Sequence, residues 1–221
     1  MRLFPASRTG LLIAALCLCA QGQNASSKTA PLSESKGLPP RATPDDYQAK
    51  AQAGALTVAA EFMGHSVPTP QGTYSSEDFV VVETGLFGPP EARAKLSSGD
   101  FSLRINDKKA PLHSQPYEFV ARSLKDPEWA PPAEDKSKSK TGLSSGGKDT
   151  GEPPPAPVHM PMELQLAMEQ RVRSAVLLEG ERGLPQAGLI FFQYRGKAQS
   201  IHSVELVYTG PAGTATLTLQ P

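Results

Sequence analysis

Two stretches of the chain hold residue types able to do chemistry. Val158-His159-Met160-Pro161-Met162 sets an imidazole beside two thioethers, a donor set soft enough for cuprous copper. Met63 and His65 repeat the pair further upstream. No regular spacing links the two pieces, and Met162 equally suits the entry or apolar stripe of a helix. The second stretch, GLSSGGKD at residues 142–149, matches two motifs at once. Its first five residues fit the G-x-S-x-G of a hydrolase nucleophile elbow with Ser144 as nucleophile, and Gly142 to Lys148 fit most of a phosphate-binding loop. Both motifs need a strand before and a helix after, which the surrounding sequence lacks. Asp149 also stands where a magnesium-holding Ser or Thr belongs. The linker reading is the stronger one.

Other candidates have structural explanations. His202 opens a strand that continues with Val204, Leu206 and Tyr208, His113 follows a solvated turn, and no carboxylate pairs visibly with either. Phe191, Phe192, Tyr194, Arg195 and Lys197 have the composition of a saccharide or nucleic-acid platform. Alternation assigns those aromatics to the two faces of a central strand, and the cations to a solvated turn. No catalytic residue, cofactor ligand or metal ligand is therefore assigned.

The N-terminus sets the expected compartment. Arg2 and Arg8 flank an apolar run from Gly10 to Leu18, followed by the small-x-small Ala20-Gln21-Gly22, the pattern of a secretory signal peptide over 1–22. A membrane anchor needs about 20 apolar residues, and Gln21, Gln23 and Asn24 arrive too early, so no transmembrane segment is expected in the mature chain. A lipoprotein signal at Cys19 would want a small residue where Leu18 stands. Both cysteines, Cys17 and Cys19, lie in this peptide, so the mature chain is expected to hold itself together by burial without disulfides. The charges balance at 22 against 22, and losing Arg2 and Arg8 leaves 20 against 22, no field to attract nucleic acid.

The elements that position these residues follow from periodicity. Residues 23–53 read as a flexible leader. Strands are expected over Ala55–Phe62, Phe79–Phe87 and Phe101–Asn106, with a further one over Tyr117–Arg122. Residues 126–158, rich in proline and poor in aliphatics, read as a disordered insertion. Leu164, Met168, Val172, Ala175 and Leu178 recur at helical spacing within an expected helix over 161–178. Strands over Ala187–Arg195, Ile201–Tyr208 and Thr214–Leu219 close the chain.

The segment EDFVVVETGLFGPPEARAKLSSGDFSLRIN resembles the central hairpin of immunoglobulin-like domains in exported bacterial proteins. The C-terminal AGLIFFQYRGKAQSIHSVELVYTGPAGTATLTLQP resembles the closing strands of hypothetical secreted proteins of acidobacteria. The likeness spans residues 54–122 and 187–221. It implies an antiparallel sandwich and no catalytic residue, because such sandwiches host unrelated functions.

The expectation is thus a mainly β, immunoglobulin-like antiparallel β-sandwich over 54–221, with one helix crossing one end and a long disordered insertion. A small barrel is the structural runner-up. The expected role is non-enzymatic, binding or structural, in the periplasm or outside the cell, with an unknown protein or envelope partner. The alternative is a periplasmic copper-binding protein using His159, Met160, Pro161 and Met162.

Overall fold

The valine-rich and phenylalanine-rich segments are direct neighbours. In the computed structural model, which describes residues 37–129 and 160–221, β5 (Phe79–Phe87) and β11 (Gln186–Gln193) pair antiparallel along their whole length, from Gln186 opposite Leu86 to Gln193 opposite Phe79. The expected signal peptide, residues 23–36 of the expected leader, the expected insertion from residue 130 onward with Ser144 and Lys148, and His159 lie outside the described residues. Residues 126–129, read as the start of the insertion, form a turn in which Trp129 N donates to the Asp126 carbonyl at 3.2 Å.

The fold is mainly β and antiparallel. Along the chain come β1 (Ala49–Ala53), β2 (Leu56–Gly64), β3 (Ser66–Thr69), β4 (Gly72–Ser76), β5, β6 (Arg93–Leu96), β7 (Phe101–Ile105), β8 (Leu112–Gln115), helix α1 (Tyr117–Ala121), β9 (Leu124–Lys125), helix α2 (Met162–Ala175), β10 (Gly180–Gly183), β11, β12 (Val204–Gly210) and β13 (Gly213–Leu219). Eight of the strands form one sheet, ordered β1-β2-β5-β11-β8-β7-β12-β13. Strand β8 turns its corner, Leu112 and His113 pairing with β7 while Ser114 and Gln115 pair with β11. The two outermost strands come alongside each other. Gln48 Nε2 donates to the carbonyl of Gln220 at 2.9 Å, and a Cβ on Gly54 would fall 2.4 Å from the Ala212 carbonyl oxygen.

Strand β1 lies inside the stretch read as leader. Its sequence, AKAQA, has no large apolar residue to signal burial, yet it pairs with β2 from Ala49 opposite Ala60 to Ala53 opposite Leu56. The two-residue turn between them uses Gly54 at φ +62°, a conformation glycine takes without steric cost.

Two cores exist where the alternation predicts one. Inside the curved sheet, Val80, Val82 and Leu86 of β5 meet Ile190 and Phe192 of β11 and the inward residues of β2, β7, β12 and β13. On the outer side, Phe79 and Val81 of β5 and Leu189 and Phe191 of β11 meet Met168, Val172 and Ala175 of α2. That explains why β5 is buried at every position but Phe87: both faces are covered. The helix expected over 161–178 is α2, and it lies on this outer face. The expected strand over Tyr117–Arg122 is corrected to helix α1. Pro116 caps the turn, and Tyr117, Val120, Ala121 and Leu124 all reach the second core, a spacing of three and four that a period of two would split between faces.

Candidate functional site

Helix α2 carries two apolar stripes. Met168, Val172 and Ala175 are buried against the sheet. Met162 and Leu166, four residues apart and therefore on one side of the helix, are 75% and 58% exposed. Together with Phe119 of α1 they are the large apolar residues left exposed among the described ones. Single exposed apolar residues need no explanation. Two that border the same concavity do.

That concavity is a cleft of about 520 Å³ between the N-terminal half of α2 and the α1–β9 segment. Met160, Met162, Gln165, Leu166, Met168 and Glu169 form one wall, and Glu118, Ala121, Arg122 and Leu124 the other. Its size falls in the range of small-ligand sites. Pro161 caps α2 and fixes the approach of the chain, Leu164 N and Gln165 N both donating to its carbonyl at 3.0 and 3.1 Å. Gln165 Nε2 donates to the Met160 carbonyl at 3.2 Å, so Met160 is held beside the helix start. Met168 is 2% exposed and forms the floor.

Polar contacts tie α2 to β4 and to α1. Arg171 Nη1 donates to Tyr74 Oη of β4 at 2.7 Å. The Arg173 guanidinium lies 5.7 Å from the centre of the Tyr117 ring. Burial pushes the Tyr117 phenol above its ordinary range, with Arg173 acting in the opposite sense, so the ring packs as a neutral group.

The cleft joins only part of what the sequence singles out. Met160 and Met162 line it, and Met168, assigned by its spacing to the helix core, lines it too. Met63 packs instead against the second core. His65 is committed elsewhere: Nδ1 lies 2.8 Å from the Ser76 carbonyl and 2.9 Å from that of Phe79, and Nε2 lies 2.9 Å from that of Gly196. With both ring nitrogens facing backbone oxygens, and Tyr194 stacked 6.4 Å away, His65 staples three loops together and turns neither nitrogen toward the cleft. His202 is exposed ahead of β12, its backbone N–H donating to Asn106 Oδ1 at 2.7 Å. His113 is an exposed strand residue opposite Ser102.

The aromatic strand is core. Phe191 and Phe192 are 1% and 0% exposed, on opposite faces of β11, while Arg195 Nε pairs with Asp78 Oδ1 at 2.9 Å. The sequence reading passes over Glu118, Arg122 and Leu166. Leu166 carries a legible signal: it breaks the stripe of Leu164 and Met168 and starts a second one with Met162.

At the start of β7 the half-buried carboxylate of Asp100 offers a pH signature. Burial, helped by Glu179 and opposed by Lys95, holds the Asp100 carboxyl above its ordinary value. A raised folded value means that Asp100 favours folding fully at acid pH and that this contribution is lost as pH rises through the folded value. Asp100→Asn is therefore expected to gain thermal stability relative to the native chain between about pH 3 and pH 7. Paired melts at the two pH values check this, and a difference that does not change, or reverses, contradicts it.

Among the described residues no helix is long and apolar enough to cross a membrane. Comparison with protein-family models, with curated proteins and with solved structures finds no match for this chain.

Proposed function

We propose that this chain is an exported, non-enzymatic binding protein of the cell envelope, and that the cleft between α1 and α2 is its binding site. The observation that carries the reading is the placement of Met162 and Leu166: two exposed apolar side chains on one side of a helix, bordering a cleft whose floor and walls are thioethers, aliphatics and a few charged groups. Methionine surfaces suit binding because the unbranched thioether adapts its shape to what it meets. Export is supported by the basic start, apolar run and small residues of 1–22. For the fold, the small barrel that stood as runner-up is supported by the single eight-stranded sheet whose outermost strands, β1 and β13, come alongside each other.

One preparation tests these points. The chain is recovered with its bound material from the envelope fraction of its own host and compared with the Met162→Glu/Leu166→Glu double variant. Both positions are exposed, so the variant is expected to melt like the native chain. A mature N-terminus at Gln23 and a companion lost only in the variant support the reading. Capture that is identical in both proteins removes the cleft, and an intact Met1 removes export.

A further inference from the structure

We infer that the cleft takes a single soft cation, cuprous copper, through the thioethers of Met160, Met162 and Met168; this rests on the reading that the cleft is the binding site and names its ligand. The chain has five methionines, and three of them line this one cleft. They arrive there by different routes. Met160 precedes the helix cap, Met162 is the first residue of α2, and Met168 reaches the floor from the second turn of the helix. Helical spacing alone would not bring them together, since Met162 and Met168 are six residues apart and their Cα positions lie on different sides of α2. The bend at Pro161 and the far wall from α1 and β9 make them a common lining.

Thioether sulfur is soft and uncharged. It ligates copper(I) well and magnesium, calcium or zinc poorly. Among the described residues no group of three His, Cys, Asp or Glu is placed to hold a harder metal. A monovalent ion among neutral sulfurs needs charge balance nearby, and the carboxylates of Glu118 and Glu169, set against the one guanidinium of Arg122, leave the lining of the cleft with one net negative charge. The donors also differ in exposure: Met168 is 2% exposed and packed in the outer core, whereas Met162 is 75% exposed and reachable by an incoming ion.

The rival occupant is an apolar ligand, and leucine separates the two. Replacing Met by Leu keeps volume and apolarity while removing the sulfur, at small cost to packing. The purified chain is titrated anaerobically with copper(I) against a chromophoric chelator, beside Met162→Leu, Met168→Leu, the triple Met160→Leu/Met162→Leu/Met168→Leu variant and His159→Ala. The native chain is expected to take one copper(I). Each single leucine variant should weaken binding by at least about tenfold, the triple variant should abolish it, and the affinity should stay flat between about pH 5 and pH 7 because thioethers carry no proton to lose. Exposed Met162 keeps the test valid if Met168→Leu perturbs the core. A native chain that takes no copper, a triple variant that still binds it, or a loss that follows His159→Ala and not the methionines overturns the inference. If copper is refused while Met162→Glu/Leu166→Glu still abolishes capture from the envelope, the cleft stands as a binding site and only its metal is wrong.

Discussion

Gly188→Ala is expected to cost more than about 4 kcal/mol, a large part of the 5–15 kcal/mol that holds a domain folded. A Cβ at this position would fall 2.3 Å from both N and Cα of Leu177 and 2.7 Å from the Val176 carbonyl carbon. These are backbone atoms, so no side chain can rotate out of the way. The crowding has a topological cause. Met168, Val172 and Ala175 belong to the outer core, whereas Leu177, two residues after the end of α2, belongs to the inner one. The chain therefore crosses from one face of the sheet to the other beside Gly188. It is held there by Leu177 N donating to the Leu189 carbonyl at 3.1 Å and by a parallel bridge from Val176 to Leu189. An added methyl group pushes this crossing outward, breaks the bridge and withdraws Leu177, itself 2% exposed, from the interior. Emptying such a leucine site alone costs about 2–5 kcal/mol. Gly183→Ala is the control, since nothing lies within 4 Å of its Cβ position. Denaturant titration should leave Gly183→Ala near the native midpoint and Gly188→Ala without a native baseline. A Gly188→Ala protein that unfolds within about 1 kcal/mol of the native chain would show that Leu177 does not pass there.

The same crossing shows what sequence can and cannot reveal. Strands β5, β11, β12 and β13 were legible because large apolar residues recur at fixed spacing, and burial leaves that mark whichever neighbour supplies it. Helix α2 was legible for the same reason. The partner of each face was not. Gly188 reads as an ordinary interruption of a strand, and only the path of Leu177 gives it meaning. Strand β1 was missed because its alanines bury little area and depend on β2 for their place. Helix α1 was misread because a five-residue segment with Tyr117, Phe119 and Ala121 satisfies a period of two as well as Tyr117, Val120 and Ala121 satisfy a helical one. As for the cleft, Met160 and Met162 could be named from soft chemistry alone. Met168 was hidden by serving the core at the same time, and Glu118 and Arg122 by lying some forty residues upstream on an element whose type was misjudged.

Arg41→Ala is expected to destabilise the domain by about 2–4 kcal/mol, toward the lower part of the range for breaking a buried ion pair because the guanidinium keeps some access to solvent. Glu61 of β2 and Glu83 of β5 are directly opposite each other in the ladder. Like charges in that relation destabilise a sheet, and the Glu83 side chain is only 12% exposed. Arg41 resolves the conflict from the chain segment ahead of β1. Its Nε and Nη2 fork onto the two Glu83 oxygens at 3.2 and 2.9 Å, and Nη1 reaches Glu61 Oε2 at 2.5 Å and the Asp46 carbonyl at 2.6 Å. The guanidinium also lies 4.5 Å from the centre of the Tyr47 ring, which is itself 6% exposed and fills the space left by Gly85, where a Cβ would come within 2.6 Å of it. Removing the arginine leaves two facing carboxylates, one of them nearly buried, and loosens the segment that leads into β1. Arg41→Lys should recover little, because a single ammonium cannot fork onto one carboxylate and reach the other. Glu83→Gln placed on Arg41→Ala should recover part of the loss, since the remaining side chain no longer repels Glu61. Salt gives an independent readout: if repulsion between the two glutamates carries the defect, the gap between Arg41→Ala and the native chain narrows as ionic strength rises. A gap that ignores both salt and Glu83→Gln would assign the role of Arg41 to packing on Tyr47 instead of to charge.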